Sequence, residues 1–180
     1  MKKITIISTS LRKNSNSEIL ANEFIKAAKE KGNEINYINL KKIKMKFCIG
    51  CLTCGKTKKC VIKDDITKEM LDKICNSDVI VFVTPVYYYA ISGQLKTFID
   101  RMNPIYSMKY KFRDIYVIST AADDSNRTFK GIREDIKGFV DCYEKTKIKK
   151  TLFVGGLENP NDVRKKNKFL EKAYKMGLCV

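Results

Sequence analysis

The segment DVIVFVT, residues 78–84, is the most strongly apolar stretch of the chain. A strand with β-branched and aromatic side chains on both faces must be covered on both faces, which is the position of a central strand in a parallel sheet. The remaining residues must therefore supply neighbouring strands and two layers of helices. A chain of 180 residues is long enough for one such core, and we predict a single domain over residues 1–180 with a cysteine-rich loop at 47–63.

Four shorter runs have the β-branched or alternating pattern of flanking strands, and amphipathic helical patterns separate them. The runs are residues 3–8, 34–40, 114–120 and 148–154. Strands that alternate with helices through short connections predict an α/β fold. We expect a flavodoxin-like, doubly wound sheet of five parallel strands in the order 2-1-3-4-5, with helices on both faces.

Two helix starts can also be predicted from local residues. Asp64 and Asp65 precede a segment with helical periodicity, so we expect them to cap its N-terminus. Asn159 and Pro160 have the pattern of a final helix with proline in its first turn. The segment 103–113 has no clear period, and the sequence assigns it no role.

Four of the seven cysteines form the motif C-x2-C-x2-C-x5-C at Cys48, Cys51, Cys54 and Cys60. One tight loop can turn the first three thiolates toward one point, with the fourth closing from the far side. The triplet is typical of bacterial ferredoxins, whereas structural zinc sites usually have two separated C-x2-C pairs. The spacing therefore favours an iron–sulfur cluster. A zinc site, disulfides and a loop of unligated cysteines remain alternatives.

A polar loop, STSLRKNSNSE at residues 8–18, follows the first predicted strand and leads into a helix. Backbone N–H groups, hydroxyl groups and the helix dipole would all point at one place, and Arg12 adds a formal charge. This pattern predicts an anion site. The alternative is simple helix capping, because Ser15 and Glu18 have the spacing of a capping box.

Two more loops carry side chains suited to a flat ligand. Residues 85–89, PVYYY, follow the central strand, and aromatic groups there suit a planar ring, although three tyrosines packed under a loop would look the same. Residues 121–124, AADD, follow the strand at 114–120 and are small enough for close approach. In the predicted strand order, the loops after strands one, three and four meet at one edge. Together the three loops describe a flavin mononucleotide site.

The chain has no histidine, which removes imidazole as acid, base and metal ligand. Many hydrolytic and zinc mechanisms are thereby excluded, while redox chemistry carried by a cofactor is not. The formal net charge is +16, but the lysines are scattered and no recognised nucleic-acid motif accompanies them. We expect no nucleic-acid partner. Lysine runs at 41–46 and 56–59 flank the cysteine loop, and we hypothesise that they attract an anionic substrate or an acidic redox protein such as ferredoxin.

The start of the chain, MKKITII, is too short an apolar run for a signal peptide. No stretch approaches the roughly 20 apolar residues that span a bilayer. We therefore expect a cytoplasmic protein without a membrane partner.

Three segments resemble the NAD(P)H-dependent FMN reductase superfamily, and more narrowly its iron–sulfur flavoprotein branch. SLRKNSNSE at 10–18 is similar to the family's S-P-R-K-N-G-N-T-E phosphate loop. TPVYY at 84–88 is similar to its flavin-flanking T-P-V-Y segment, and SGQLKTFIDR at 92–101 to its S-G-Q-x-K-x-F-x-D-R helix. The cysteine spacing and the following Asp64 and Asp65 also fit the branch's compact cluster motif.

The resemblance implies a set of site residues, although Leu11, Ser15 and Ser17 replace the family's proline, glycine and threonine. The groups that would hold the FMN phosphate are Ser10, Arg12, Asn16 and Ser17. The groups that would border the isoalloxazine are Pro85, Val86, Tyr87, Tyr88, Ser119, Thr120, Ala121 and Ala122. The ligands of a [4Fe-4S] cluster would be Cys48, Cys51, Cys54 and Cys60.

The resulting functional prediction is an FMN-dependent oxidoreductase. It would pass electrons from NAD(P)H or a reduced carrier to a small acceptor such as a quinone or flavin, with the cluster as a second redox centre. The resemblance also implies a homodimer or homotetramer. We nominate no catalytic side chain, because hydride transfer to a flavin needs alignment more than acid–base help. The alternative is a non-enzymatic iron–sulfur flavoprotein that carries electrons between partner proteins.

Overall fold

The structure, a computed structural model, describes residues 1–180 apart from the side chain of Lys68. Its centre is a five-stranded sheet in the order β2-β1-β3-β4-β5, in which every neighbouring pair is parallel. The strands are β1 (Lys3–Ser8), β2 (Glu34–Asn39), β3 (Val79–Pro85), β4 (Asp114–Thr120) and β5 (Lys147–Val154). The predicted fold class and strand order are confirmed.

Six α-helices and several short helical turns connect the strands. The α-helices are α1 (Asn16–Glu30), α2 (Thr53–Thr57), α3 (Leu71–Cys75), α4 (Gly93–Arg101), α5 (Lys130–Asp141) and α6 (Asn167–Leu178). The 3-10 turns are Leu40–Lys42, Asn103–Ser107 and Asp162–Lys165, and Ile66–Met70 is a π-helical turn. Among the described residues, no helix has both the length and the apolar character needed to cross a bilayer.

The side chains of β3 alternate between two hydrophobic cores. Ile80 and Phe82 belong to the core under α3, α4 and α5, whereas Val79, Val81 and Val83 belong to the core under α1 and α6. All five are at most 1% exposed. The apolar run therefore occupies the doubly covered position that its composition predicts.

The prediction that Asn159 and Pro160 begin the final helix is wrong, because α6 begins at Asn167. The polar groups of Asn159 are used in loop packing instead. Its carbonyl oxygen accepts a hydrogen bond from Asn16 Nδ2 at 2.9 Å, and its N–H donates to Asp162 Oδ2 at 2.8 Å. These contacts fold the segment back over the start of α1.

The prediction that Asp64 and Asp65 cap a helix is also wrong, since Asp65 occupies the cap position without a side-chain capping hydrogen bond. The cysteine loop has two arms, residues 44–46 before the cysteines and residues 62–65 after them. Both carboxylates accept hydrogen bonds from backbone N–H groups of the first arm. Asp65 Oδ2 accepts from the N–H of Lys44 at 2.7 Å, and Asp64 Oδ2 accepts from the N–H of Lys46 at 3.0 Å. The two aspartates join the two arms of the loop, which is why they do not serve the helix.

Candidate functional site

The loops after β1, β3 and β4 meet around a cavity of about 220 Å³ at the C-terminal edge of the sheet. Parallel strands that share this edge bring together segments that are more than 30 residues apart in sequence. Ten of the predicted flavin-site residues line the cavity: Ser10, Arg12, Asn16, Ser17, Pro85, Val86, Tyr87, Thr120, Ala121 and Ala122.

The polar end of this cavity lies at the N-terminus of α1. Ser15 caps the helix by accepting a hydrogen bond from the N–H of Glu18 at 3.3 Å. Ser17 Oγ is buried and has no hydrogen-bond partner among the residues that the structure describes. A buried hydroxyl that lines a cavity without a partner fits a ligand that brings its own acceptor oxygen. Exposed Arg12 supplies positive charge at the same end.

Asn16 also lines the cavity, but its amide is occupied by the protein. Nδ2 donates to the carbonyl oxygen of Asn159 at 2.9 Å, and Oδ1 accepts from the N–H of Val163 at 3.0 Å. Both contacts fasten the segment after β5 to the start of α1. In this structure the side chain of Asn16 shapes the cavity wall.

Hydrogen bonds hold the loop after β3 against its neighbours. The N–H of Val86 donates to the carbonyl oxygen of Thr120 at 2.9 Å, which joins this loop to the end of β4. Ser92 caps α4 through the N–H of Leu95 at 3.3 Å, and its hydroxyl donates to Thr9 Oγ1 at 2.9 Å. These hydrogen bonds fix the loop after β3 against the end of β4 and against the loop after β1.

Two of the predicted flavin residues lie elsewhere. Tyr88 is at the tip of a turn closed by hydrogen bonds between Tyr87 and Ala90, with a φ of 49° and a fully exposed side chain. Ser119 is buried within β4 and does not line the cavity. Its hydroxyl oxygen also has no partner among the described residues.

Sequence reasoning missed one wall of the cavity, which is formed by Leu157, Glu158 and Pro160. The sequence feature that could have indicated this wall is the Gly155-Gly156 pair. A Cβ at Gly155 would lie 2.3 Å from the Cα of Asp124, so only glycine allows this approach. The N–H of Gly156 donates to the carbonyl oxygen of Ala122 at 2.8 Å, which brings the loop after β5 to the site.

A second cavity, of about 690 Å³, lies under the cysteine loop. One wall consists of the loop, and the opposite wall is formed by residues of α4 and α5. The four motif cysteines all line it: Cys48, Cys51, Cys54 and Cys60. The turn after β3 separates the two cavities, because Tyr87 lines the first and Ile91 lines the second.

The four thiols differ in exposure and environment. Cys48 and Cys51 are exposed, Cys54 is buried and Cys60 is half-buried. A hydrogen bond from the Thr53 hydroxyl lowers the pKa of the Cys51 thiol, which favours the thiolate that binds metals. Within the described part of the chain, no three cysteine or carboxylate side chains surround a point where one metal ion could sit.

Four thiols around one cavity fit the donor set of a four-iron cluster, because each cysteine then binds a different iron. Such ligands surround a polynuclear body and do not converge on one ion. The donor chemistry of the loop therefore fits the group that its spacing predicts.

The segment 103–113, which has no role by sequence, contacts the cysteine loop. Asn103 Nδ2 donates to Cys54 Sγ at 3.0 Å, and the Ser107 hydroxyl donates to the carbonyl oxygen of Gly55 at 3.0 Å. The 3-10 turn Asn103–Ser107 is thus the floor on which α2 rests. A single asparagine after a helix has no periodicity that could have indicated this contact.

A buried ion pair stands behind the loop. Arg101 Nη1 lies 2.6 Å from Asp64 Oδ2, and Nη2 lies 3.0 Å from Asp64 Oδ1. Burial alone would raise the pKa of Asp64, but the hydrogen bonds from Arg101 and from the N–H of Lys46 hold it below its ordinary value. Burial would likewise lower the pKa of Arg101, and Asp64 instead raises it. Both groups are charged at neutral pH.

Comparison with known proteins places this geometry in a family. Residues 2–128 match the family model described as NADPH-dependent FMN reductase. An iron–sulfur flavoprotein of Methanocaldococcus jannaschii is 38% identical over 103 residues, which cover 57% of this chain and 53% of the relative. An iron–sulfur flavoprotein of Archaeoglobus fulgidus is 35% identical over 104 residues, which cover 58% and 46%. The match thus spans about half the length of these curated relatives.

Solved structures share the fold over nearly the whole chain. An azoreductase from Bacillus anthracis superposes with a TM-score of 0.76 at 16% identity and covers 100% of both chains. An NAD(P)H:quinone oxidoreductase from Methanothermobacter marburgensis superposes with a TM-score of 0.72 at 16% identity and covers 98% of this chain and 96% of that one. At this identity the likeness establishes the fold.

Proposed function

The chain belongs to the NADPH-dependent FMN reductase family, and from this premise we propose that it is an FMN-dependent oxidoreductase. It draws electrons from NAD(P)H or a reduced carrier and passes them to a small acceptor such as a quinone or flavin. The observation that carries the proposal is the convergence of three loops, from three strands, on one cavity at the C-terminal edge. Ligands of open α/β sheets bind at this place.

The residues of the cavity divide into two groups with different tasks. Ser17, Ser10 and Arg12 bind the phosphate of FMN at the N-terminus of α1, where the helix dipole and the unpartnered hydroxyl favour an anion. Val86, Tyr87 and Ala121 border the ring on the apolar side. FMN supplies the hydride chemistry when it is bound. The protein orients the ring and excludes water from one of its faces.

We further propose that the cysteine loop holds a [4Fe-4S] cluster through Cys48, Cys51, Cys54 and Cys60. Three observations support this. The spacing matches a cluster motif, the four thiols line one cavity, and matched relatives are named iron–sulfur flavoproteins. The cluster adds one-electron capacity. The chain's contribution is a ring of thiol donors beside an apolar wall from α4 and α5.

A second candidate function is that of an electron carrier between proteins. Its support is the charge around the loop, where eight lysines are exposed: Lys41, Lys42, Lys44, Lys46, Lys56, Lys58, Lys59 and Lys63. Such a rim attracts an acidic partner such as a ferredoxin and makes the association rate fall with ionic strength. A rate of electron transfer that does not change with salt would exclude this attraction.

The protein is also proposed to be a homodimer or homotetramer in solution. Three large apolar side chains of the cysteine loop are 69–78% exposed: Phe47, Ile49 and Leu52. Exposed apolar clusters of this kind mark interaction surfaces. Sedimentation equilibrium of the purified protein measures the assembly, and a monomer at all concentrations would refute it.

The first experiment measures iron, acid-labile sulfide and FMN per chain in protein purified without oxygen. We expect one FMN, with about four irons and four sulfides. Steady-state oxidation of NAD(P)H with a simple quinone then separates the two candidate functions, because a carrier turns over little without its partner. Iron-free protein that retains FMN would refute the cluster, and protein without flavin would refute both functions.

A further inference from the structure

Arg101 is the last residue of α4, and its side chain is completely buried. Arginine is almost never fully buried unless it is paired. It does not line the flavin cavity, so the flavin proposal gives it no task. The structure shows which part of the molecule it serves.

All four hydrogen bonds of the Arg101 guanidinium go to the two arms of the cysteine loop. Beyond the fork to Asp64, Nη1 donates to the carbonyl oxygen of Lys46 at 2.8 Å, and Nη2 approaches the carbonyl oxygen of Ile62 at 3.4 Å. Lys46 lies two residues before Cys48, and Ile62 lies two residues after Cys60. One planar group therefore fastens both ends, as the rigid fork of an arginine allows.

The arms are also tied to each other. Asp64 Oδ2 accepts from the N–H of Lys46 at 3.0 Å, and Asp65 Oδ2 accepts from the N–H of Lys44 at 2.7 Å. On the exit side, Thr67 Oγ1 donates to the carbonyl oxygen of Ile62 at 2.8 Å. The guanidinium connects this clamp to the end of α4.

The loop beyond the clamp buries little of its surface against the rest of the protein. Of residues 47–61, Cys54 is the buried one, and most of the others are exposed. Gly50, Leu52 and Lys58 have φ values of 66°, 55° and 58°, in the left-handed region that non-glycine residues rarely adopt. Such a path needs support from outside. The clamp supplies it at the base of the loop, and the turn Asn103–Ser107 supplies it under α2.

Cys60 stands beside the same guanidinium. Cys60 and Arg101 line the same cavity under the loop. Arg101 Nε is buried and has no partner among the described residues. The cation therefore keeps an unused donor in the neighbourhood of a motif cysteine.

We infer that Arg101 is the positioning residue of the cysteine loop: it anchors both arms to the end of α4 and keeps the four thiols around their cavity before any cluster is present. Its effect on cluster loading rests on the proposed function. Its effect on the shape of the metal-free loop does not.

The test is the alkylation rate of each cysteine in reduced, metal-free protein, followed by mass spectrometry. Buried Cys54 reports on the loop, buried Cys75 on α3 reports on global unfolding, and exposed Cys179 is the internal reference. We expect Arg101→Met to speed the alkylation of Cys54 by on the order of tenfold while Cys75 stays protected. Arg101→Lys keeps the charge, loses the fork and should also speed it.

The matched control is Lys137→Met, which removes a cation from an exposed ion pair with Asp141 on α5. It should leave the Cys54 rate unchanged. Should Arg101→Met unfold the protein, the double variant Arg101→Met with Asp64→Leu removes both charges and restores apolar packing. A Cys54 rate within about twofold of wild type in whichever of these variants is folded would overturn the inference.

Iron loading is measured separately on the same variants. If wild-type protein takes up no iron while the Cys54 rates differ as expected, the cluster proposal fails and the anchoring role stands. If wild type loads iron and Arg101→Met loads as much with unchanged Cys54 reactivity, the anchoring role fails and the cluster proposal stands. FMN content should be equal in all variants, because the flavin cavity contains none of the substituted residues.

Discussion

At the scale of single residues, the buried hydroxyl of Ser17 is the most informative group of the flavin cavity. A polar atom that is buried without a partner is costly to the folded protein, and a bound ligand can supply the missing partner. Ser119 has the same kind of hydroxyl but does not line the cavity. The two serines are thus a natural pair for separating function from fold.

We expect Ser17→Ala to weaken FMN binding by about tenfold or more, because a hydrogen bond to a charged phosphate contributes roughly 1.5–3 kcal/mol. The flavin-free protein should lose no stability. Fluorescence titration gives the affinity, and urea unfolding gives the stability. Ser119→Ala is the matched control: it should leave the FMN affinity unchanged and should not lower the stability. Equal affinities for Ser17→Ala and wild type would remove Ser17 from the phosphate site.

The charge of Asp64 predicts a pH dependence. Its pKa is below the ordinary value in the folded state, so its contribution to stability is fully present above the unfolded-state pKa of about 3.9 and is lost as the pH falls through the lower, folded value. The difference in unfolding free energy between wild type and Asp64→Asn, measured on metal-free protein, should stay constant from about pH 7 to pH 4 and narrow below that. A difference that already narrows near pH 6 would contradict this assignment.

At the scale of elements, the sequence predicts some connections well and others not at all. The apolar run of β3 and the helical periodicities determine the layers, because burial repeats every two or every 3.6 residues. The hydrogen bonds of Arg101 to Asp64 and to the two arms of the loop follow from no repeating sequence pattern. They join residues 37 or more positions apart through the geometry of one guanidinium, and only the fold brings them together.

The position of the loop after β5 is likewise only partly predictable from the sequence. The order of the strands places it at the correct edge of the sheet, but the chain turns toward the flavin cavity because Gly155 lets two backbones pass at a distance that no side chain allows. In the sequence, a glycine pair after a strand indicates only an ordinary turn. The start of α6 at Asn167 also depends on contacts between distant residues, since Asn16 holds the segment before this helix against α1.

We expect Gly155→Ala to displace the loop after β4, because a Cβ there would meet Asp124 Cβ at 2.5 Å and the Asp123 carbonyl oxygen at 2.7 Å. The cost should be about 1–3 kcal/mol of stability, together with weaker FMN binding. Gly138→Ala on α5 is the control. Its new methyl group meets nothing within 4 Å, and alanine should stabilise that helix by up to about 1 kcal/mol. Equal urea midpoints for the two variants would show that the close approach at Gly155 is absent in solution.

At the scale of the whole molecule, the flavin cavity joins elements that are distant along the chain. Its walls come from the ends of β1, β3 and β4 and from the segment after β5, so a ligand there binds across both halves of the sheet. Binding to the folded state alone must stabilise the entire domain through mass action.

FMN at about 100 times its dissociation constant should add about 2.7 kcal/mol to the stability of the domain and raise its unfolding temperature by roughly 5–10 °C. Riboflavin at the same concentration lacks the phosphate and should raise it much less. Scanning calorimetry of flavin-free protein measures both. Equal shifts for the two ligands would show that the loop before α1 does not bind phosphate.

The outer strand β5 leaves one edge of the sheet open to strand addition. Strand β5 presents exposed Lys147, Lys149 and Lys150, and its pairing with β4 is shifted by an irregularity beside Tyr116. Lysines and irregular pairing on an edge strand hinder the addition of a strand from another molecule. The β5 edge of the sheet is therefore protected against aggregation, and fibrils should not form by addition of strands to this edge.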